Sequence, residues 1–244
     1  MVRTAINLYS VRQLDEPLVN ILDRVADAGY DGVQFSGGFR DATHDEAAAK
    51  ADERGLDVTP AHVDIDALEG DLDATIAAYR DTVGCSGAVV PYLDDSHFAS
   101  RDAVDETAER LTALADQLAD LDWTLHYHNH AHEFVDLDGE NAFERFVREA
   151  SGVGIELDVG WALVGGADPV SLIERYGDRI DVLHMKDMDV ATEAFREIGD
   201  GDVDMGACAE AGREANLDWF VYEHDDPEDP VSSIETGSAF LDGL

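Results

Sequence analysis

Four segments of the sequence carry side chains that can bind a metal ion, and each follows an apolar run typical of a buried strand. The candidate ligands are His128, Asp158, His184 and Glu223, which lie 26 to 39 residues apart. Intervals of this size are expected of successive β/α units in a barrel. Because the carboxyl ends of parallel barrel strands meet at one end, the four side chains should converge. The sequence therefore predicts one divalent-metal site built from four distant segments.

The ligand types narrow the choice of metal. A lone His at a strand end is usually a hydrogen-bonded core residue, and a lone Asp after a strand is usually a helix N-cap. Several such residues at the ends of separate strands are costly to bury unless a cation compensates their charge. Mixed imidazole and carboxylate ligation suits transition metals better than Ca2+, which prefers oxygen ligands. We expect Mn2+ first, with Zn2+, Co2+, Fe2+ and Mg2+ as alternatives.

The composition is strongly acidic, and this limits the possible partners. The chain has 16 Lys and Arg against 55 Asp and Glu, a net charge of −39, and only Lys50 and Lys186 are lysines. We interpret this as halophilic adaptation of the haloarchaeal type to high cytoplasmic salt, which screens the self-repulsion of the chain. So acidic a chain should repel nucleic acid. No apolar run approaches 18 residues and no signal peptide is evident, so we expect a cytoplasmic protein with no membrane partner.

The elements that must position the ligands follow a repeating pattern. Short apolar runs alternate with longer amphipathic ones across 244 residues, without a linker or a break in composition. This pattern predicts an α/β fold, a single (β/α)8 TIM barrel, with residues 1–244 forming one domain. The predicted strands are Thr4–Tyr9, Gly32–Phe35, Asp57–Val63, Ala88–Leu93, Trp123–His128, Gly154–Asp158, Ile180–Lys186 and Trp219–Glu223. The predicted helices are Pro17–Ala28, His44–Arg54, Leu72–Thr82, Ala103–Leu121, Ala142–Ala150, Pro169–Tyr176, Met205–Ala215 and Val231–Leu241.

The longest predicted connection runs from residue 187 to residue 204 and joins the seventh strand to its helix. Connections longer than about 12–15 residues are often functional lids. We therefore take this segment as the first candidate for a lid over the site, and residues 129–139 as the second.

Several motifs, in order and at these spacings, resemble the xylose-isomerase-like TIM-barrel family, also called the sugar phosphate isomerase/epimerase family. The resemblance covers nearly the whole chain. The motifs that carry it are Tyr127-His128-Asn129-His130 with Glu133-Phe134, Leu157-Asp158-Val159-Gly160-Trp161, His184-Met185-Lys186-Asp187, Glu197-Ile198-Gly199-Asp200-Gly201 and Trp219-Phe220-Val221-Tyr222-Glu223.

This resemblance implies metal ligation by Asp158, His184 and Glu223. Many members carry a Glu as the fourth ligand at the end of strand five, where this chain has His128; Glu133 lies five residues further on and either coordinates the metal or contacts substrate. Members that isomerise or epimerise sugars use two glutamates to move protons on opposite faces of an enediolate. Here Glu223 is one acid/base, and Glu133 or His128 is the candidate for the other.

The remaining candidates are substrate contacts. Gln34 stands where many relatives carry Glu, and it can hydrogen-bond a sugar hydroxyl but cannot take a proton. Lys186 could hold a substrate oxygen or phosphate, and His130 lies beside the ligand segment. His62 either lines the pocket or is a hydrogen-bonded core residue, and Trp161 either stacks on a sugar or packs a lid.

The expected function is a metal-dependent isomerase or epimerase that acts on a small sugar or keto-sugar through an enediolate. One alternative is a sugar lyase or dehydratase, of the inosose-dehydratase kind or one that eliminates from a keto-glycoside. The others are an endonuclease-IV-like nuclease, which the net charge of −39 disfavours, and a non-catalytic sugar-binding barrel. The oligomeric state stays open, although homodimers are common among soluble enzymes.

Overall fold

The computed structural model describes residues 2–244 and contains a closed parallel barrel. Its strands, with a separate two-stranded hairpin, are β1 Arg3–Asn7, β2 Gly32–Gln34, β3 Asp57–Val58, β4 Ala61–His62, β5 Gly87–Val90, β6 Thr124–His128, β7 Val153–Asp158, β8 Ile180–Met185, β9 Asp187–Asp189, β10 Ala194–Arg196 and β11 Trp219–Tyr222. The strand order β3-β2-β1-β11-β8-β7-β6-β5-β4 begins and ends with two pieces of the same chain segment, so the sheet closes on itself. The predicted fold class, a single (β/α)8 TIM barrel, is confirmed.

The prediction of the third barrel strand is wrong, because the structure interrupts this strand. We predicted an unbroken strand over Asp57–Val63, whereas the structure has two short pieces separated by Thr59 and Pro60. Pro60 has no N–H with which to continue the ladder. The hydrogen bonding of the sheet restarts at His62, whose N–H donates to the Phe35 carbonyl at 2.9 Å, and β4 pairs with β5. His62, on the second of the two pieces, is buried.

The helices cover the outside of the barrel. They are α1 Leu18–Ala28, α2 His44–Arg54, α3 Ile65–Gly70, α4 Leu72–Ile76, α5 Arg101–Ala119, α6 Ala142–Glu149, α7 Val159–Val164, α8 Pro169–Tyr176, α9 Met205–Glu214 and α10 Pro230–Asp242. The helix predicted over Leu72–Thr82 is α4 followed by a π-helical turn at Ala77–Val83. The short helices α3 and α7 were not predicted, because six residues are too few to show a helical period.

The barrel interior changes from apolar to polar along its axis. Ala5, Val182, Trp219 and Val221 form a separate buried apolar cluster toward the amino ends of the strands. Trp219 fills this end so fully that a Cβ on Gly32 would lie 2.7 Å from its ring. Toward the carboxyl ends the inward-facing side chains are His, Asp, Glu, Gln and Lys, all buried. The polar layers therefore rest on a packed apolar base.

The predicted lid segment, residues 187–204, starts two residues after the end of β8 and is held together by hydrogen bonds to its first residue. It contains the antiparallel hairpin of β9 and β10. The buried carboxylate of Asp187 accepts hydrogen bonds from the N–H groups of Gly199 at 2.8 Å, Gly201 at 2.9 Å and Val203 at 3.2 Å. Among residues 2–244, no helix is both long enough and apolar enough to cross a bilayer.

Candidate metal centre

The four predicted metal ligands meet at the carboxyl end of the barrel. The His128 Nε2 atom lies 3.2 Å from His184 Nδ1, 3.5 Å from Asp158 Oδ2 and 3.6 Å from Glu223 Oε2. His184 Nδ1 lies 2.7 Å from Glu223 Oε2. All four side chains are buried, and their nearest ligand atoms lie within 4.8 Å of one another. We call these four residues the ligand group.

The strand register explains why the residues meet. His128 ends β6 and Asp158 ends β7, while Glu223 directly follows β11. Asp158 is paired directly with His184 on β8, and His184 is paired with Val221, two residues before Glu223. Because side chains alternate along a strand, all four point into the barrel at neighbouring levels.

The chemistry of the ligand group fits a divalent transition metal. Asp158 Oδ2 is buried and has no hydrogen bond of good geometry within the described residues. Its polar neighbours are Lys186 Nζ at 3.1 Å and His128 Nε2 at 3.5 Å, so a metal ion could take this oxygen as a ligand. Ligand bonds of about 2.0–2.2 Å place neighbouring ligand atoms about 3.0–3.5 Å apart. The three distances from His128 Nε2, 3.2 to 3.6 Å, are close to this spacing, whereas His184 Nδ1 and Glu223 Oε2, 2.7 Å apart, would have to separate slightly to admit an ion. The group could therefore hold a metal ion with two imidazoles and two carboxylates.

A second cluster, one layer deeper, has different distances. His62, Glu156 and His184 also bring their ligand atoms together. Here His62 Nε2 lies 2.5 Å from Glu156 Oε1, and His184 Nε2 lies 2.9 Å from the same oxygen. Gln34 Nε2 donates to Glu156 Oε2 at 2.5 Å. These are hydrogen-bond distances, so the deeper cluster is a hydrogen-bonded network rather than a second metal site.

Burial and charge shift the proton affinities of the ligand group in opposite directions. Burial lowers the pKa of His128, but hydrogen bonds to Asp158 and Glu223 outweigh it and raise the pKa to about 9. Burial also lowers the pKa of His184, but the nearby carboxylates of Glu156 and Glu223 outweigh it and raise the pKa to about 10. Burial raises the pKa of Glu223, but Lys186, His184 and His128 together hold it well below the usual value. Within the group, Glu223 is therefore ionised, while His128 and His184 hold protons strongly until a metal replaces them.

Lys186, predicted to contact substrate, has its ammonium group among three carboxylates. Its Nζ lies 2.9 Å from Glu223 Oε2, 3.1 Å from Asp158 Oδ2 and 3.1 Å from Asp225 Oδ1. Burial opposes the charge on this group, but these carboxylates raise its pKa above the usual value. The ammonium group neutralises part of the negative charge of the site, and its predicted contact with substrate stays a prediction.

Glu133 lies outside the ligand group. Its carboxylate accepts hydrogen bonds from the Tyr127 hydroxyl at 2.7 Å and from the His130 N–H at 2.8 Å. Burial raises the pKa of Glu133, in part offset by these contacts and by the nearby His132. Of the two candidates for the fourth ligand, the structure brings His128 into the group. The catalytic role of Glu133 stays a prediction.

A cavity of about 580 Å3 opens above the ligand group. His62, His128, His130, Lys186 and Glu223 line it, and their contacts with substrate or metal stay predictions. Gln34 instead lies in the deeper network, where its Oε1 is 2.7 Å from His184 Nε2. The Trp161 ring packs against His130 and Phe195, with ring centroids 5.6 Å apart in each case.

Three further residues of the site were not assigned from the sequence. Tyr9 and Tyr92 line the cavity and are 41% and 53% exposed, an unusual position for large aromatic side chains. Asp225 also lines the cavity, although in the sequence it resembles the other acids of a solvated loop. The alternation after β11, which places Asp225 on the face of Glu223, was the available signal.

Comparison with known proteins identifies the family. The family model described as the xylose isomerase-like TIM barrel matches residues 22–244. Over 189 residues the chain is 30% identical to inosose dehydratase from Geobacillus kaustophilus, a match that covers 69% of this chain and 61% of that protein. The chain thus matches less than two thirds of that relative's length.

Solved structures agree on the fold. A sugar phosphate isomerase/epimerase from Parabacteroides distasonis superposes with a TM-score of 0.82 at 23% identity, covering 99% of this chain and 94% of that one. The 3-keto-D-glucoside 4-epimerase of E. coli superposes with a TM-score of 0.72 at 19% identity, covering 100% of both chains. Taken with the match over residues 22–244, this chain belongs to the xylose isomerase-like TIM barrel family.

Proposed function

We propose that this protein is a metal-dependent enzyme that isomerises or epimerises a neutral sugar or keto-sugar through an enediolate. The observation that carries the proposal is the convergence of two buried histidines and two buried carboxylates beneath a cavity of about 580 Å3. Cavities of about 300–1,000 Å3 are typical of small-molecule sites. His128, Asp158, His184 and Glu223 would hold the metal, with Mn2+ as the first candidate.

The charges around the cavity favour an uncharged substrate. Of the residues that line it, Lys186 is the one Lys or Arg, and its ammonium group already contacts Asp158, Glu223 and Asp225. A phosphate or carboxylate group would therefore meet Asp64, Glu223 and Asp225 with no free Lys or Arg side chain to pair with, and the metal would be its one cationic partner. Hydroxyl groups of a neutral sugar can instead donate to these carboxylates.

The reaction requires one proton to leave a carbon next to a carbonyl and to return elsewhere. A bound divalent metal supplies Lewis-acid stabilisation of the negative charge that develops on the substrate oxygens. Glu223 or Glu133 would take the proton, and Lys186 would balance the buried negative charge near Glu223. Return of the proton to the neighbouring carbon, with transfer of the hydroxyl proton from one substrate oxygen to the other, gives isomerisation. Return of a proton to the opposite face of the same carbon gives epimerisation.

A dehydratase is the second candidate, because the chain is 30% identical to an inosose dehydratase. The first step is the same loss of a proton next to the carbonyl. The β-hydroxyl then leaves with a proton as water, and an enone remains. The two candidates differ in whether the substrate loses water.

The experiment is to incubate the protein with Mn2+ and a panel of neutral sugars, inososes and 3-keto-glycosides in D2O and to follow each by NMR. Deuterium incorporation without loss of water supports the isomerase or epimerase, and an enone signal supports the dehydratase. Asp158→Ala and Glu223→Gln should abolish both, whereas Glu174→Gln on the exposed face of α8 should retain full activity. The proposal fails if the two site variants keep the metal content and turnover of the unmodified protein.

A further inference from the structure

Glu156 lies one layer beneath the ligand group and has no exposed surface. It shares a face of β7 with Asp158, so both point into the barrel. Its carboxylate lies 2.5 Å from His62 Nε2, 2.5 Å from Gln34 Nε2 and 2.9 Å from His184 Nε2. A carboxylate removed from water this completely needs such partners to remain ionised. Nothing in the proposed reaction uses this residue directly.

The two nitrogens of the His184 ring face different surroundings. Nδ1 faces the ligand group, 2.7 Å from Glu223 Oε2 and 3.2 Å from His128 Nε2. Nε2 faces the layer beneath, 2.9 Å from Glu156 Oε1 and 2.7 Å from Gln34 Oε1. An imidazole that binds a metal through one nitrogen carries a hydrogen only on the other, and the partner of that hydrogen selects the tautomer.

The hydrogen-bond network leaves one consistent arrangement. Gln34 Nε2 lies 2.9 Å from the Pro60 carbonyl, which can only accept, and Asn7 Nδ2 donates to Gln34 Oε1 at 2.7 Å. The amide oxygen of Gln34 therefore faces His184, and it too can only accept. Both neighbours of His184 Nε2, the Glu156 carboxylate and the Gln34 oxygen, thus require a donor at Nε2.

We propose that Glu156 is a positioning residue that holds His184 in the Nε2–H tautomer, so that Nδ1 is the atom offered to the metal. Gln34 and His62 hold Glu156 in turn. This inference rests on the metal site of the proposed function and extends it, because it assigns a ligand atom and gives a role to a residue outside the ligand group.

The same network gives a physical reason for glutamine at position 34. A glutamate there would place a second carboxylate about 2.5 Å from Glu156, where the amide nitrogen of Gln34 now donates. Two carboxylates at such a distance cannot both ionise. Gln34 instead supplies one donor to Glu156 and one acceptor to His184. The chain thus keeps a single negative charge in this layer, and that charge lies on Glu156.

The first test measures the His184 tautomer in the unmodified protein and uses one variant only to assign the signals. Histidine-labelled 15N protein is titrated with Zn2+, and the ring nitrogens are observed by long-range 1H–15N correlation, with His184 assigned by the loss of its signals in His184→Gln. The expected result is a metal-shifted Nδ1 and a protonated Nε2. Protonated Nδ1 with metal at Nε2 overturns the inference while leaving the proposed function intact. Failure of the protein to bind Zn2+, Mn2+ or Co2+ overturns both.

The second test separates positioning from a purely structural role. Glu156→Gln should weaken Co2+ and Mn2+ binding by about 10- to 100-fold, the usual effect of losing a hydrogen-bond partner of a metal ligand. It should also change the visible spectrum of the Co2+ form, whereas Glu174→Gln should change neither. A purely structural role would lower the melting temperature of the metal-free protein and leave the Kd and the spectrum unchanged, and this result would overturn the inference. If Glu156→Gln does not fold, the first test alone decides whether the inference holds, because it measures the His184 tautomer in the unmodified protein.

Discussion

Replacement of Lys186 by methionine should destabilise the metal-free protein far more than replacement of the other lysine. The Lys186 ammonium group is buried and lies within 3.1 Å of carboxylate oxygens on Asp158, Glu223 and Asp225. Lys186→Met removes the cation and leaves three carboxylates close together in a site with little water. Truncation of one partner of a buried ion pair costs about 3–5 kcal/mol.

This free energy corresponds to a large shift in melting temperature. For a chain of 150–250 residues, about 1 kcal/mol shifts the melting temperature by about 2–4 °C. Lys186→Met should therefore lower the melting temperature by about 6–20 °C in EDTA. Lys50→Met is the matched control, because Lys50 contacts carboxylates whose side chains are exposed, Glu53 at 2.9 Å and Asp23 at 3.4 Å, with exposed fractions of 67% and 36%. Surface pairs contribute about 0–1 kcal/mol, so the control should shift the melting temperature by only about 0–4 °C.

Addition of metal provides an internal check on this reasoning. A divalent cation in the ligand group supplies the positive charge that Lys186→Met removes, so saturating Mn2+ should restore most of the lost stability. The same variant should bind Mn2+ more tightly than the unmodified protein, because the ammonium group no longer competes for Asp158 and Glu223. Differential scanning calorimetry with EDTA and with Mn2+ measures the stability. Equal melting temperatures for the two lysine variants in EDTA would refute the assignment of Lys186 as the buried counter-ion.

Three further predictions follow from charge and hydrogen bonding. The melting temperature should rise between 0.1 M and 1 M KCl, because the screening length falls from about 10 Å to about 3 Å and the self-repulsion of a chain with net charge −39 weakens; a flat profile by calorimetry would contradict the halophilic interpretation. In EDTA, His128 and His184 have folded-state pKa values of about 9 and about 10, above the unfolded value. Their contribution to stability should therefore be complete below about pH 6.5 and lost as the pH rises to about 10. A melting temperature that does not fall between these pH values would contradict the raised pKa values. Asp187→Asn should destabilise the protein by about 1–3 kcal/mol and speed proteolysis within residues 187–204, because it weakens the hydrogen bonds to Gly199 and Gly201. Asp189→Asn, in the same hairpin but paired on the surface with Arg196, should do neither. Equal proteolysis of the two variants would contradict the role of Asp187 in holding this segment together.

The ligand group could be predicted from the sequence because two regularities determine it. Parallel strands of a barrel end at the same face, and alternation along each strand decides which side chains point inward. These rules bring Asp158, His184 and Glu223 together without knowledge of the packing. They also apply to His128, which ends β6 as predicted. The position of the ligand group thus depends on local pattern and on fold class alone.

The deeper network could not be predicted in the same way. Which residues of different strands share a layer depends on the stagger of the strands around the barrel, which the sequence does not display. The contact between Gln34 on β2 and Glu156 on β7 crosses the interior between strands that are not neighbours in the sheet. The interruption of the third strand at Pro60 has a visible cause in the sequence, but the contact of His62 with Glu156 does not. Sequence analysis therefore found the inward-facing residues and not their partners.

Charge balance within the barrel leads to a last prediction, which concerns protons. At neutral pH, His128 and His184 are protonated in the metal-free protein, since their pKa values are about 9 and about 10. A metal must displace one proton from each imidazole to gain its ligand atom. Exchange of two protons for one divalent cation leaves the total charge of the buried site unchanged, so neither form contains an additional uncompensated charge.

Calorimetric titration with Mn2+ at pH 7 in buffers of different ionisation enthalpy measures this exchange. About two protons should be released for each metal bound, because both histidines are protonated before binding. His128→Gln, which keeps a polar side chain but has no titrating nitrogen, should reduce the release to about one. Metal binding without proton release would mean that His128 and His184 are neutral in the metal-free protein, and the electrostatic description of the site would then be wrong.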